Sequence, residues 1–169
     1  MAVENKYVID AKTEGDAYKQ STMFRGGETV AIVSKSFTIA AADEDGSIYR
    51  VGKVHKNMVP VEIWITCSAI TGASDYDCGL YKTLENGGTV ADKDCFDDGT
   101  DVSGGKAIAS PLNGMTDMGV ANIGKEVWQL AGATTENDAD LEYDLAITAN
   151  TVGTGTGTMQ VRAIFAKAA

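Results

Sequence analysis

Histidine and proline are almost absent from this sequence, and cysteine is scarce. The 169 residues include one histidine, two prolines and three cysteines. A single histidine excludes metal sites built from several histidines, and a Ser-His or Cys-His catalytic pair would have to use His55. This residue lies between Lys53 and Lys56 near the end of a predicted strand, which favours a solvated surface position.

The three cysteines, Cys67, Cys78 and Cys95, form no metal-binding or redox motif. Ten and sixteen residues separate them, so no C-x-x-C pair is present, and neither zinc nor a thiol redox centre is indicated. Buried, reduced thiols are the expectation for a protein made in a cytosol. The alternative is a Cys67–Cys78 disulfide, which would leave Cys95 over.

Catalytic and phosphate-binding motifs are also missing. The glycines at 26–27, 104–105 and 153–157 fit neither G-x-x-x-x-G-K-[ST] nor G-x-G-x-x-G. The segment 92–99 is acidic like a calcium loop, but its fifth and sixth positions are Phe and Asp. That loop requires an acidic or amide residue and then a glycine there, so only an irregular calcium site stays open. The sequence therefore predicts a non-enzymatic protein with no catalytic residues, no cofactor and no regular metal site.

Basic residues are outnumbered, because 14 Lys and Arg accompany 24 Asp and Glu, for a net charge of −10. Such a chain is not expected to bind nucleic acid through its phosphates. Residues 1–27 hold four charges of each sign, so the excess lies entirely in the rest of the chain. Within 75–101, eight carboxylates accompany Lys82 and Lys93, which indicates a solvated acidic loop or a surface that faces a partner or a cation.

Long hydrophobic runs are missing as well. No apolar run approaches the roughly 20 residues of a transmembrane helix, and the first residues lack the basic-then-apolar pattern of a signal peptide. We therefore expect synthesis and folding in a cytosol and no membrane contact. Apolar residues still make up 44% of the chain, enough for one domain of this length to bury a substantial core.

Alternation of apolar and polar residues, typical of β-strands, recurs along most of the chain. Clear examples are 47–55, 140–148 and 159–166. About eight such strands with little helix predict an all-β fold, an antiparallel two-sheet sandwich, jelly-roll-like, with an extended N-terminal arm. The arm is residues 1–27 and the β-sandwich domain is residues 28–169. An immunoglobulin-like sandwich is the second choice, although its Cys-Trp-Cys spacing is missing.

Three segments are less regular. Residues 126–130, which carry Trp128, are predicted as a strand. A short helical piece is predicted around residues 114–123. The N-terminal arm has the alternative of an edge strand laid on the domain's own sheet.

Residues 61–81 are predicted to form a β-hairpin around a Gly-Ala turn. This hairpin would place Cys67 opposite Cys78 with both thiols facing the core, and the turn and the hydrophobic pattern agree on that register. Trp64 and Tyr81 would then lie on the outward face, where exposed aromatic residues often mark a binding surface. The alternative is that a second sheet or the N-terminal arm covers them.

Several of these segments resemble small structural proteins of tailed bacteriophages. In that group a G-S-x-Y-R strand precedes a D-Y-D-x-G-L-Y strand, then a Gly-Gly turn and an acidic segment that ends in aromatic residues. The likeness covers roughly residues 43–166 and is a pattern of strands and turns rather than a catalytic fingerprint. The matching segments are DGSIYRV at 45–51, AITG at 69–72, DYDCGLY at 75–81, GGTVADKDCF at 87–96, the segment with Trp128, and LAI at 145–147.

Proteins of this kind are similar to head decoration, or cement, proteins, which sit on the outside of the capsid and clamp neighbouring coat subunits. The resemblance implies a structural virion protein on the outer capsid surface that stabilises the head by bridging major capsid protein subunits. It also implies self-association, as a homotrimer or a dimer. The candidate partner-binding residues are Tyr7, Val8, Ile9, Tyr18, Phe24 and Arg25 of the arm, together with Trp64 and Tyr81.

Other functions fit the same features. A tail, fibre or baseplate β-module of a phage virion would differ from a decoration protein mainly in copy number. A carbohydrate-binding module would use Trp64 and Tyr81. A hydrolase with an acidic pair is disfavoured by the single histidine and the missing motifs.

Overall fold

The structure is a computed structural model that describes the backbone of residues 5–7, 21–25, 28–111 and 121–167, and the side chains of residues 33–106 and 121–167. A short helix, α1, spans Val127–Leu130, and 3₁₀ turns lie at Leu84–Asn86 and Glu136–Asp138. The described strands are β1 Asn5–Tyr7, β2 Ser21–Arg25, β3 Glu28–Ile39, β4 Ser47–His55, β5 Met58–Cys67, β6 Asp75–Lys82, β7 Val90–Thr100, β8 Lys106–Pro111, β9 Glu142–Thr151 and β10 Gly157–Lys167.

The strands form two five-stranded sheets that pack face to face. Sheet A has the order β1-β4-β9-β6-β7, and sheet B has the order β2-β3-β10-β5-β8. From β3 onward the neighbours are antiparallel, and β3 pairs with β10, β4 with β9, β5 with β8 and β6 with β7. One long antiparallel ribbon wrapped into two sheets gives this order, which is the jelly roll. The predicted all-β, antiparallel, jelly-roll-like sandwich is therefore confirmed.

The core lies between the sheets and takes every second side chain from the central strands. Two aromatic pairs join the sheets across it. Phe37 of β3 stacks on Tyr49 of β4 with 5.1 Å between ring centroids, and Phe96 of β7 meets Phe165 of β10 edge-on at 6.3 Å. All four rings are at most 6% exposed, and each aromatic side chain removes about 150–250 Å² from water. These contacts fix how the two sheets sit on each other.

The predicted hairpin over residues 61–81 is wrong, because β5 and β6 belong to different sheets. Cys67 of β5 pairs with Met159, and Cys78 of β6 pairs with Ile147. The connection between the two strands crosses one end of the core, where Ile70 is fully buried. Both thiols still face the core as predicted, since alternation decides the face while the wrapping of the ribbon decides the neighbour. The described cysteines are free thiols.

Residues 126–130 form helix α1 rather than the predicted strand. A capping box explains the difference: the Glu126 side chain accepts from the backbone N–H of Gln129, and the Gln129 side chain accepts from that of Glu126. The helical piece predicted around 114–123 lies mostly outside the described residues, and its last residues belong to a turn. Among the described residues, no helix is long and apolar enough to span a membrane.

Two pieces of the predicted arm are strands. β1 lies parallel to β4 at one edge of sheet A, with Asn5 beside Ile48. β2 pairs with the first half of β3 at the edge of sheet B on the same side of the sandwich. These pieces correspond to the alternative in which the arm lies on the domain's own sheets. The division into an arm of residues 1–27 and a domain of residues 28–169 stays a prediction.

Candidate functional site

A groove lies on the outer face of sheet B, where β5 and β10 run side by side. Its volume is about 260 Å³. We call it the Trp64 groove. It is lined by Glu62, Trp64, Thr66, Gln160, Arg162 and Ile164. Because these side chains alternate with the core residues of the same two strands, the pleat of the sheet holds them in one outward row.

Trp64 is the largest apolar surface in the groove. Its indole Nε1 donates to Glu62 Oε2 at 3.1 Å, which holds the ring against its own strand, and the side chain is only half-buried. Arg162 lies directly opposite Trp64 on β10 and is exposed. One carboxylate and one guanidinium thus flank an aromatic ring, an arrangement suited to contact with a polar partner that also offers an apolar group.

Tyr81, the second predicted outward aromatic residue, is buried by its own chain at 3% exposure. Its hydroxyl shares a 2.6 Å hydrogen bond with Thr148 Oγ1 on β9. The guanidinium carbon of Arg50 lies 5.3 Å from the centre of the ring, and burial raises the pKa of the phenol. The expectation that Tyr81 lies on an exposed face with Trp64 is therefore wrong. Among the described residues, Arg50 of the same sheet lies over the ring, whereas the alternative had a second sheet or the N-terminal arm as the cover.

The outer face of sheet A around Tyr81 carries a buried ion pair. Arg50 Nη1 donates to Asp144 Oδ2 at 2.6 Å, and both side chains are fully buried. The same guanidinium donates to the carbonyl oxygens of Lys82 at 2.9 Å and Gly88 at 2.7 Å. Arg50 therefore fastens the turn after β6 onto the two central strands. The sequence did not predict the role of Arg50, because a single arginine at an outward position of a strand is normally expected to be exposed to solvent.

The arm residues predicted to bind a partner are only partly within the described chain. Tyr7 belongs to β1, and Phe24 and Arg25 belong to β2; the described side chains do not include theirs. Val8, Ile9 and Tyr18 lie outside the described residues. The structure therefore does not test whether the arm residues and Trp64 act as one surface, and their role in binding stays a prediction.

The residues considered for chemistry are dispersed. His55 is exposed at the end of β4, and its Nδ1 accepts from the backbone N–H of Asn57 at 3.2 Å. Within the described part of the chain, no three His, Cys, Asp or Glu side chains converge as a metal site. The thiols of Cys78 and Cys95 are buried, which raises their pKa well above the usual value and keeps them in the unreactive neutral form.

Comparison with known proteins gives a likeness in fold. No protein-family model matches the chain, and no curated protein matches it in sequence. The fold is similar to that of a chain in the solved capsid of Ralstonia phage GP4, with a TM-score of 0.58 and 12% identity over 90% of this chain and 94% of that one. A chain of the cyanophage Pam1 capsid asymmetric unit aligns with a TM-score of 0.43 and 13% identity, over 94% of this chain and 99% of that one. The chain thus shares its jelly-roll fold, over nearly its whole length, with a chain from a phage capsid.

Proposed function

We propose that this chain is a structural protein of a tailed-phage virion that decorates the outer capsid surface and stabilises the head by bridging major capsid protein subunits. The observation that supports the proposal is the match in fold to a chain of the Ralstonia phage GP4 capsid over 90% of this chain and 94% of that one. The likeness in fold therefore extends over nearly the whole of both chains. The resemblance of residues 43–166 to small phage structural proteins points the same way.

We propose that the contacts run through the N-terminal arm and the Trp64 groove. Trp64 offers a partly exposed ring beside Glu62 and Arg162, and aromatic residues of this kind often supply most of the energy of an interface. Tyr81 lies under Arg50 on the outer face of sheet A, so of the two predicted aromatic residues only Trp64, on sheet B, is placed for direct contact. β1 and β2 pair with the domain's own strands, so the rest of the arm would add area by reaching a neighbouring subunit. Self-association as a trimer or dimer would let one assembly reach several coat subunits.

Cryo-electron microscopy of the particle that carries the chain tests the location. We expect density on the outer shell at many equivalent positions, with part of residues 1–27 against a neighbouring subunit. Density restricted to the tail would refute decoration and favour the tail, fibre or baseplate module. Absence of the chain from the particle would refute the virion assignment altogether.

A binding experiment with purified heads tests the groove. Truncation of an aromatic hot spot costs about 2 kcal/mol or more, so Trp64→Ala should weaken binding at least about tenfold. Trp128→Ala is a matched control, because Trp128 is also half-buried and its Nε1 also donates to the glutamate two residues earlier, Glu126, at 2.8 Å. If Trp64→Ala and Trp128→Ala bind purified heads equally well, the Trp64 groove is not a contact surface.

A further inference from the structure

Three polar side chains meet across the edge of sheet A. Lys93 stands on the edge strand β7, Asn150 stands on β9, and Asp77 stands on β6 between them. The Nζ of Lys93 lies 3.0 Å from Asn150 Oδ1 and 2.8 Å from Asp77 Oδ2. Asn150 Nδ2 donates to the same Asp77 oxygen at 2.6 Å. One carboxylate oxygen therefore touches both the lysine amine and the amide nitrogen of the asparagine.

Further contacts hold this cluster in place. The side chain of Asp77 is fully buried, and its other oxygen, Oδ1, accepts from the backbone N–H of Gly99 at 3.1 Å. Asp75 Oδ1 accepts from Asn150 Nδ2 at 3.1 Å. The amide of Asn150 is thus fixed by two carboxylates with its oxygen turned toward Lys93. The amine of Lys93 is therefore held within hydrogen-bond distance of the amide group of Asn150, and keeping two groups side by side replaces a large part of the cost of bringing them together.

We propose that Lys93 and Asn150 join in an intramolecular isopeptide bond, with Asp77 as the group that moves the proton. The amine of Lys93 gives a proton to Asp77 and attacks Cγ of Asn150, which forms the new C–N bond. Asp77 then passes that proton to Nδ2, the Cγ–Nδ2 bond breaks, and ammonia leaves and takes up the second proton that the attacking nitrogen loses. A lysine ammonium and a primary amide become a secondary amide and an ammonium ion, so atoms and charge balance and no oxidant is needed. The proposal is independent of the virion assignment.

Charged neighbours set the pH at which the bond would form. Lys93 is faced by Asp77 and Tyr81 of β6 and by Asp94 of its own strand, with Asn150 on β9. The hydrogen bond to Asp77 raises the pKa of Lys93, and the charge of Asp94 acts in the same direction. Because only the neutral amine attacks, the reaction is slow at neutral pH and speeds up as the pH rises toward that pKa.

The new bond would tie β7 to β9 across β6. Edge strands are the parts of a sheet that open most easily, and β7 is an edge of sheet A. Lys125 Nζ also touches an asparagine, Asn122 Oδ1, at 2.7 Å. Those two residues lie three positions apart within one turn, so a bond between them would join no strands. This second pair serves as an internal comparison.

Mass spectrometry of the intact full-length chain tests the proposal. After incubation near pH 9 we expect the wild type to be lighter than its sequence by one ammonia molecule and to carry one positive charge fewer in isoelectric focusing. Lys93→Met and Asp77→Asn should keep the full mass. Lys82→Met is the matched control, because Lys82 is similarly exposed, 45% against 43% for Lys93, and is paired with Asp140. This control should still lose ammonia.

Peptide mapping identifies the bond. A branched peptide that joins Lys93 to Asn150 supports the proposal, and Asn150→Asp should lose water in place of ammonia. Ammonia loss that maps to a succinimide at Asn86-Gly87, or to Lys125, overturns it. So does a wild-type chain that keeps its full mass after prolonged incubation at alkaline pH. The mass of the wild-type chain is measured without any variant, so the proposal can be refuted even if a variant fails to fold.

Discussion

Removing the carboxylate of Asp144 should destabilise the domain strongly. The guanidinium of Arg50 lies 2.6 Å from Asp144 Oδ2, and neither side chain is exposed. In Asp144→Ala the arginine keeps its bonds to the carbonyls of Lys82 and Gly88 but loses its opposite charge in a fully buried site. Breaking a buried pair in this way costs about 3–5 kcal/mol.

The loss should be visible as a lower melting temperature. For chains of 150–250 residues, 1 kcal/mol shifts the midpoint by about 2–4 °C, so Asp144→Ala should melt roughly 6–20 °C below the wild type. Glu85→Ala is the control, because Glu85 pairs with Lys53 at 3.0 Å but is 78% exposed. Exposed pairs contribute about 0–1 kcal/mol, so this variant should melt within a few degrees of the wild type.

Urea denaturation of a double variant tests whether a large loss of stability comes from the buried arginine that has lost its opposite charge. If burial of an unpartnered charge is the cause, the double variant Arg50→Met, Asp144→Leu should recover much of the stability, since buried pairs replaced by apolar residues are often neutral. If Asp144→Ala costs less than about 1 kcal/mol, like Glu85→Ala, then water reaches the pair and the reasoning is refuted.

Three further outcomes follow from the packing. Gly79→Ala should lower stability by about 1–3 kcal/mol in urea melts, because the added methyl would meet the β7 backbone, whereas Gly104→Ala points into open space and should be neutral. Cys78 and Cys95 should react with a thiol reagent only as fast as the domain opens, since burial raises the pKa of both thiols; fast labelling of the native protein would contradict this. Burial also raises the pKa of Tyr76. The folded state therefore keeps that proton while the unfolded state loses it above about pH 10, so stability should fall as pH rises past this point, and Tyr76→Phe should flatten the decline in urea midpoints measured against pH.

Strand positions could be predicted from the sequence because apolar residues recur at every second position, most clearly along β9 and β10. β4 spans the predicted residues 47–55, and β9 and β10 begin within about two residues of their predicted starts. The face of each residue follows from the same pattern. This local information is independent of the partner strand, which is why the two cysteines were oriented correctly although their neighbours were not.

Which strands pair with each other could not be predicted from the local alternation of apolar and polar residues. A Gly-Ala turn between two alternating segments fits a hairpin, but it equally fits a crossing from one sheet to the other. In the structure Ala73 is buried and its carbonyl accepts from the N–H of Val102 at 3.0 Å. The crossing is therefore stabilised by contacts about thirty residues away in sequence, and only the whole ribbon decides between the alternatives.

The outward position of Trp64 could be predicted from the sequence, but the burial of Tyr81 could not, and the reason is related. Trp64 and Tyr81 both occupy outward positions of their strands, but Tyr81 lies on sheet A and Trp64 on sheet B. Arg50 covers the tyrosine through bonds to residues 32, 38 and 94 positions away. Such long-range contacts leave no periodic trace in the sequence, so exposure of an outward aromatic residue could not be decided from alternation.

The two outer faces differ in what a partner could gain from them. On sheet A the described polar groups around Arg50, Asp144 and Tyr81 already bond to one another, so covering this face would bring few new hydrogen bonds. On sheet B the ring of Trp64 is partly exposed beside Arg162, and removing apolar surface from water is worth about 25 cal/mol per Å². If the chain binds a capsid as proposed, the sheet B face therefore supplies more of the binding energy. Substitutions around Trp64 should then change affinity, while those around Arg50 change stability.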